Sequence, residues 1–161
     1  MRAGLRCLLL ALALFASAAL PAAGQTGAVQ GWGLRAGVAD DPDQVVGGFH
    51  LSFGDLVPRL RFQPSLELGS GDETSVLTLT LPGHYRVPVG GALEPYFGGA
   101  LLLSSIDRDR PPGASEDDFD IGVALVGGLE LSRAGDHGFL LEVHLGGGKA
   151  YDAKVVVGVT F

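Results

Sequence analysis

The side chains of this 161-residue chain that could do chemistry include clustered carboxylates in predicted turns. Asp40, Asp41 and Asp43 share one turn, and residues 107–118 read DRDRPPGASEDD. Carboxylates are ligands that Ca²⁺ prefers, and the second segment begins like a calcium-binding loop. Prolines stand at the next ligand position and at the glycine position of that pattern, however. We therefore predict a solvated acidic surface there and no metal site.

Histidines form the second chemically capable group. His50, His84 and His144 fall on the polar side of predicted strands, and Glu142 precedes His144 by two positions, which places both on one strand face. Such a pair could bind a metal or transfer protons. No serine stands beside a histidine as a nucleophile, and no glycine run leads into Lys-Ser or Lys-Thr. We expect a hydrogen-bonded network, no enzymatic activity and no cofactor.

The composition fits one secreted domain. The chain is 47% hydrophobic, carries a formal charge of −7 and has 26 glycines, and its acidity argues against a nucleic-acid partner. Residues 1–24 join two arginines, an apolar run and small residues, which predicts a signal peptide, and residues 25–161 form the predicted mature domain. Cleavage would remove Cys7, the only cysteine, so no disulfide is expected.

Period-two alternation between Gly, Pro and Asp clusters predicts strands throughout the mature chain. The predicted strands cover residues 31–39, 44–53, 59–69, 73–86, 93–104, 118–131, 138–147 and 153–161. Each has one apolar and one polar face. Eight is an even number, so a closed up-and-down barrel would have both chain ends on one side. Pro64 and Pro82 fall inside strands, where bulges or different strand limits are expected.

Alternation alone does not say which face points inward. A soluble lipocalin-like barrel would enclose the apolar face, whereas an outer-membrane barrel turns it toward lipid. Seven aromatic residues near strand ends share the apolar parity and predict an interfacial girdle: Trp32, Phe53, Phe62, Tyr85, Phe97, Phe139 and Phe161. The acidic loops also lie on the side opposite the chain ends, with tighter turns on the terminal side. These features favour the membrane barrel.

The polar face carries charges of both signs, which could pair inside a lumen. The predicted polar network comprises Arg35, His50, Arg61, Gln63, Glu67, Asp120, Glu130, Glu142, His144 and Lys154. An eight-stranded barrel is only wide enough inside for side chains, so free diffusion of solutes is not expected.

The last segment, AKVVVGVTF, resembles the C-terminal insertion signal of outer-membrane barrels. EPYFGGALL at 94–102, GLELS at 128–132 and LLEVHLGGG at 140–148 are similar to strands of small barrels of the OmpA, OmpX and OmpW kind. The resemblance implies a Gram-negative outer-membrane protein with its chain ends in the periplasm. It also implies two partners, the lipids of that membrane and the barrel-insertion machinery. The insertion signal would comprise Val155, Val157, Val159 and Phe161.

Together these observations predict an all-β, eight-stranded antiparallel transmembrane barrel without enzymatic activity. Its expected role is structural or a surface interaction through the acidic loops at 40–43 and 105–118, with a surface partner that the sequence does not name. Two alternatives stay open. One is a narrow channel for ions or small apolar molecules, and the other is a soluble periplasmic barrel that binds an apolar ligand.

Overall fold

A computed structural model describes residues 29–71, 74–108, 118–132 and 137–161. The predicted signal peptide and residues 109–117 of the long acidic loop lie outside the described residues. The strands are β1 (Val29–Asp40), β2 (Gln44–Phe53), β3 (Asp55–Val57), β4 (Leu60–Phe62), β5 (Ser65–Gly71), β6 (Thr74–Arg86), β7 (Leu93–Arg108), β8 (Asp118–Ser132), β9 (Gly138–Leu145) and β10 (Ala153–Thr160). The described residues include no helix with the length and apolarity to cross a membrane.

Eight strands form a closed ring in the order β1-β2-β5-β6-β7-β8-β9-β10, and every neighbouring pair is antiparallel. The first and last strands close it, because β1 pairs with β10 from Gly33 opposite Thr160 to Asp40 opposite Ala153. The predicted eight-stranded antiparallel barrel is therefore confirmed. We call the end that holds Val29 and Phe161 the terminal end, and the opposite end the distal end.

The two short strands extend the barrel at the terminal end. β3 follows β2 after Gly54, and β4 runs into β5 across Gln63 and Pro64, so the predicted turn at 54–58 is a small hairpin instead. The register of β6 is the same against β4 and β5, so no bulge is present. Continuing that register places Pro82 opposite Gln63. The ladder is interrupted where both neighbours carry a proline, because proline has no N–H to donate.

Other boundaries differ from the prediction at the distal end. β7 reaches Arg108, four residues beyond the predicted limit, because SSIDR keeps pairing with the start of β8 and the start of β6. β9 stops at Leu145, since Gly146 and Gly148 adopt positive φ angles of 86° and 70° that end an extended strand.

The apolar face of each strand points outward. Val45 on β2 is 69% exposed, whereas its neighbour Val46 is 5% exposed, and Val123 on β8 is 72% exposed. Polar residues of the opposite parity, such as Glu67 and Glu142, are buried inside. A continuous apolar outer surface is costly in water and favourable in lipid, at roughly 25 cal/mol per Å². The soluble barrel with an apolar interior is therefore wrong, and the strands span a membrane.

The interior has two layers rather than one polar face. Toward the distal end, most inward side chains are apolar, although Gln44 is also buried there, and Leu102 and Ile106 on β7 are fully buried. The distal members of the buried apolar cluster are Ala39, Val46, Val76, Leu102, Ile106, Ala150 and Tyr151, and the cluster continues toward Tyr96 through Ala100, Ala124 and Val126. Charged and polar side chains fill the lumen from its middle to the terminal end. The sequence predicted a polar inner face only, because β7 carries leucines at three consecutive positions and alternation does not separate its two faces.

Candidate functional site

The centre of the lumen is organised around Arg35, which β1 directs inward. Its Nη1 donates hydrogen bonds to Glu67 Oε1 at 2.9 Å and Ser65 Oγ at 3.0 Å, and its Nη2 donates to Glu142 Oε1 at 2.8 Å. Glu67 lies on β5 and Glu142 on β9, so one guanidinium connects three separate parts of the wall. All of these side chains are buried. A planar guanidinium suits this task, because its donors can serve two carboxylates at once.

Glu67 is surrounded by donors. Its Oε1 accepts from Arg35 and, at 2.8 Å, from Ser65 Oγ, and its Oε2 accepts from Lys154 Nζ. Lys154 is 1% exposed and comes from β10. A buried ammonium without a partner would cost several kcal/mol, so this pairing is what permits a lysine inside the barrel.

Glu142 is the second carboxylate of the network. Its Oε1 accepts from Arg35 and, at 2.5 Å, lies against His144 Nε2, while its Oε2 accepts from Tyr96 Oη at 2.9 Å. His84 Nε2 lies 3.6 Å from the same Oε2. The other nitrogen of His144, Nδ1, is 3.2 Å from Tyr151 Oη. Two cations and two carboxylates thus share one buried network, so its formal charges balance.

The terminal mouth of the lumen carries separate ion pairs. Arg61 on β4 donates to Glu130 on β8 across the opening. Arg86 donates to both carboxylate oxygens of Asp55, at 2.8 and 2.6 Å, and to Glu94 at 3.2 Å. These side chains are partly exposed, so solvent screens them more than the central network.

The structure brings together most of the predicted polar residues. Arg35, Glu67, Glu142, His144 and Lys154 form the central network, and Arg61 with Glu130 forms a pair at the mouth. His50 is buried, and its Nε2 lies 2.9 Å from Thr160 Oγ1. Gln63 is also buried in the terminal half.

Asp120 is the exception among the predicted lumen residues. It is only partly buried at the distal rim, where its Oδ2 accepts from the backbone N–H of Lys149 at 2.7 Å. Its parity faces inward, but β8 is fifteen residues long and its first residues rise above the charged layer.

Two tyrosines of the network were missed. Tyr96 lies next to Phe97 on β7, and Phe97 was assigned to the outer face, so parity already required Tyr96 to point inward. Tyr151 lies in the turn after β9, where no period-two pattern exists to show its direction. Its burial depends on how that turn folds.

The predicted aromatic girdle residues all lie at the terminal end. Trp32 packs against Phe161 with ring centroids 5.0 Å apart, and Tyr85 packs against Phe97 at 5.7 Å. Phe139 is also outward, with 45% exposure. These pairs join neighbouring strands, as expected of rings at a lipid–water boundary.

One pair departs from that arrangement. Phe53 is 9% exposed and stacks on Phe62, with centroids 5.7 Å apart. The hairpin formed by β3 and β4 continues the wall below Phe53 and covers it, so this ring contributes to local packing rather than to an exposed belt.

Several buried polar atoms of the terminal half have no hydrogen-bond partner among the described residues: His50 Nδ1, Gln63 Nε2, Thr80 Oγ1 and His84 Nε2. The same part of the chain holds no group of three or more His, Cys, Asp or Glu side chains placed to bind a metal ion. The lumen therefore contains polar atoms suited to water, arranged without a metal-binding geometry.

Similar structures were found among solved proteins. Neisserial surface protein A, NspA, has a TM-score of 0.64 at 12% identity, over 81% of this chain and 93% of that chain. The N-terminal β-barrel domain of Pseudomonas aeruginosa OprF has a TM-score of 0.61 at 15% identity, over 82% and 98%. A de novo designed transmembrane β-barrel has a TM-score of 0.53 at 16% identity, over 85% and 98%. No protein-family model and no curated protein matches the chain.

These identities support a shared fold and nothing finer. The likeness agrees with the closed ring of antiparallel strands and with its outward apolar face. The chain has the fold of a small, eight-stranded outer-membrane β-barrel.

Proposed function

We propose that this chain resides in a bacterial outer membrane and acts there as a closed, non-enzymatic barrel with a structural and surface-contact role. The observation that carries the proposal is the filled lumen. Buried salt bridges join Arg35 to Glu67 and Glu142 across its centre, and an apolar layer lies on its distal side. A lumen closed at two levels favours a structural role in the membrane over a role as a pore.

The distal rim supports a surface role, because acidic side chains outnumber basic ones among its described residues. The acidic ones are Asp40, Asp41, Asp43, Asp107, Asp118, Asp120 and Asp152. The basic ones are Arg108 and Lys149. β7 and β8, the strands that flank the predicted acidic loop in the sequence, are the two longest strands. We assign the contact with anionic outer-membrane lipids, bridged by divalent cations, to this rim and to the loop at 40–43.

The last strand supports the barrel-insertion machinery as a second partner. Val155 and Val157 are exposed on the outer face of β10, and Val159 is half-exposed on the same face. Phe161, directly after the strand, is exposed. An apolar stripe that ends in an aromatic residue is accessible to the insertion machinery before β10 pairs with β1. This assignment places both chain ends in the periplasm.

Labelling of intact cells tests the location and orientation. A cysteine at Asp43 should react with a membrane-impermeant maleimide on whole cells, and a cysteine at Val89, in a terminal-end turn, should react only after lysis. Labelling of both positions, or of Val89 alone, would contradict the proposal.

Complementation tests the role. A deletion strain should become sensitive to detergent and chelator, and the parent gene should restore resistance. A variant with Asn at positions 40, 41 and 43 should restore less, because it offers fewer sites for bridging cations. A deletion strain as resistant as the parent would overturn the structural role, and full rescue by the Asn variant would overturn the role of the rim.

A narrow channel is the second candidate. The unpartnered polar atoms of His50, Gln63, Thr80 and His84 favour it, because they could line a file of water molecules in the terminal half. Conductance in planar bilayers separates the candidates: the closed barrel predicts no resolved channel events in the parent protein, and the channel predicts discrete ones.

A further inference from the structure

The turn between β9 and β10, residues 146–152, folds across the distal mouth of the lumen. Ala150 is 0% exposed and Tyr151 is 3% exposed, although turns usually lie on the surface. Lys149, between this buried pair and the glycines, keeps an exposed side chain. The turn therefore has an inner apolar side and an outer polar side.

The inner side completes the apolar layer. Ala150 and Tyr151 belong to the same buried cluster as Val46 and Ile106 of the wall. The Tyr151 hydroxyl also reaches His144 Nδ1, at 3.2 Å, and its ring lies 4.7 Å from Lys154 Nζ. The turn thus separates the charged network from water at the distal side.

Few polar contacts hold the turn to the wall. The backbone N–H of Lys149 donates to Asp120 Oδ2 at 2.7 Å, and its Nζ donates to Asp118 Oδ2 at 2.8 Å. Gln44 Nε2 donates to the Ala150 carbonyl at 2.8 Å, and the backbone N–H of Asp152, where the turn rejoins the wall, donates to the Asp40 carbonyl at 2.9 Å. The hydrogen bond to Asp118 raises the pKa of Lys149 and so favours its charged form. The Lys149–Asp118 pair is exposed, so salt screens it.

The glycines permit this arrangement. Gly146 and Gly148 take positive φ angles of 86° and 70°, which other residues rarely adopt. A Cβ at Gly122 on β8 would lie 2.3 Å from the Gly147 carbonyl oxygen, so the turn can approach this wall only because position 122 has no side chain. Short glycine segments are suited to absorb the backbone changes of a hinge.

We propose that residues 146–152 form a hinged lid on the distal mouth, with Gly146–Gly148 as the hinge and Lys149 as the latch on Asp118 and Asp120. Opening lifts Ala150 and Tyr151 out of the apolar layer and leaves the strands paired. This inference goes beyond the proposed closed barrel, because it makes closure at the distal mouth reversible.

A single reporter cysteine tests the lid. No cysteine follows residue 7, so Ala150→Cys adds the only thiol of the mature domain. In lipid nanodiscs, an impermeant maleimide should label the cysteine at position 150 more slowly than it labels the cysteine of Asp40→Cys, at the exposed end of β1. Adding Lys149→Gln should raise the rate about two- to five-fold, the range expected for loss of an exposed ion pair. High salt should raise the parent rate and leave the Lys149→Gln rate unchanged.

Matched variants separate the latch from a general change of charge. Arg108→Gln removes a cation at the same rim that approaches Asp118 at 4.0 Å, and it should leave the rate unchanged. Lys149→Arg should restore slow labelling. Asp118→Asn removes the charge that Lys149 contacts on β8, so it should also raise the labelling rate at position 150. Each variant must keep its mobility shift on heating in SDS, which reports a folded barrel independently of the lid.

The lid is overturned if Ala150→Cys reacts as fast as Asp40→Cys in the parent background. It is also overturned if the Lys149→Gln and Asp118→Asn variants, both folded, label at the parent rate. Failure of the proposed surface role would appear in the complementation assay and not in these labelling rates.

Discussion

Arg35 and Glu142 are 107 positions apart in the chain and are joined across the lumen by a hydrogen bond of 2.8 Å. Both side chains are buried. The contact becomes possible only when β10 pairs with both β1 and β9, so it depends on closure of the ring. The same guanidinium binds Glu67, and this makes Arg35 the residue on which the compensation of the central charges depends.

Removal of this arginine should destabilise the barrel strongly. Arg35→Met leaves Lys154 as the only cation at Glu67 and deprives Glu142 of its cation, and breaking buried pairs in this way costs about 3–5 kcal/mol. Urea unfolding in lipid vesicles, followed by tryptophan fluorescence, measures the loss. Arg108→Met, at the partly exposed distal rim, is the control and should change stability by less than about 0.5 kcal/mol. Equal stability of the two variants would contradict the importance of the network.

Partial rescue should identify the cause. The double variant Arg35→Met/Glu142→Gln removes the Arg35 cation together with the negative charge of Glu142, so no uncompensated carboxylate is left at position 142. The double variant should therefore be more stable than Arg35→Met alone, as measured by the same unfolding. An additive or larger loss would mean that Arg35 acts by packing rather than by charge compensation.

The cost of a charge on the outward face should show whether that face contacts lipid or water. Val123→Arg places a cation in the middle of the apolar band and should cost about 2–4 kcal/mol in a bilayer. Phe119 lies on the same face near the distal boundary of the bilayer. Placing a cation there by Phe119→Arg should cost only about 0–1 kcal/mol, because the cost of a lipid-facing charge falls toward the boundary. Unfolding in vesicles compares the two. A near-zero cost at position 123 would mean that this face contacts water.

The terminal aromatic belt should support insertion. Phe161→Ala removes a ring that packs on Trp32 at the terminal boundary, so folding into vesicles should slow and the folded fraction should fall. Phe119→Ala, an outward ring at the distal end, is the matched control and should fold at the parent rate. Similar slowing by both variants would show a general requirement for aromatic residues rather than a terminal signal.

The central charges and the distal layer should each hold the lumen shut. Replacing both Glu67 and Glu142 by alanine removes side-chain volume and the acceptors of Arg35 and Lys154, but it leaves the apolar layer and the lid in place, so the folded double variant should stay silent in planar bilayers. Adding Lys149→Gln, which loosens the lid, should make conductance events appear, whereas Ser104→Ala, which removes only a buried hydroxyl of the lumen wall, should stay silent in the same Lys149→Gln background. Conductance events in the double variant alone would contradict closure at two levels.

Much of the fold was accessible from the sequence, because period-two alternation is a local signal. Val45 and Val46 differ only in parity, and one is outward and the other buried. The same signal placed Glu142 and His144 on one inner face. It could not show which charges meet, because Arg35 and Glu142 are brought together by closure of the ring.

Two features lay beyond alternation. The position of Tyr151 depends on the glycine turn that carries it, and no strand parity applies there. The inner apolar layer depends on Leu102 and Ile106, whose strand also has apolar residues facing outward, so its pattern resembles a continuous apolar run. Such a run does not show which residues point inward.

The most direct test of the closed, lipid-facing barrel is the electrophoretic mobility of the membrane-extracted protein in SDS, with and without boiling. A closed barrel with a lipid-facing apolar surface and a cross-linked interior predicts a compact, SDS-resistant band that shifts once the sample is boiled. A freely water-soluble protein with one heat-independent band would contradict the outward orientation of the apolar face, and with it the membrane barrel itself.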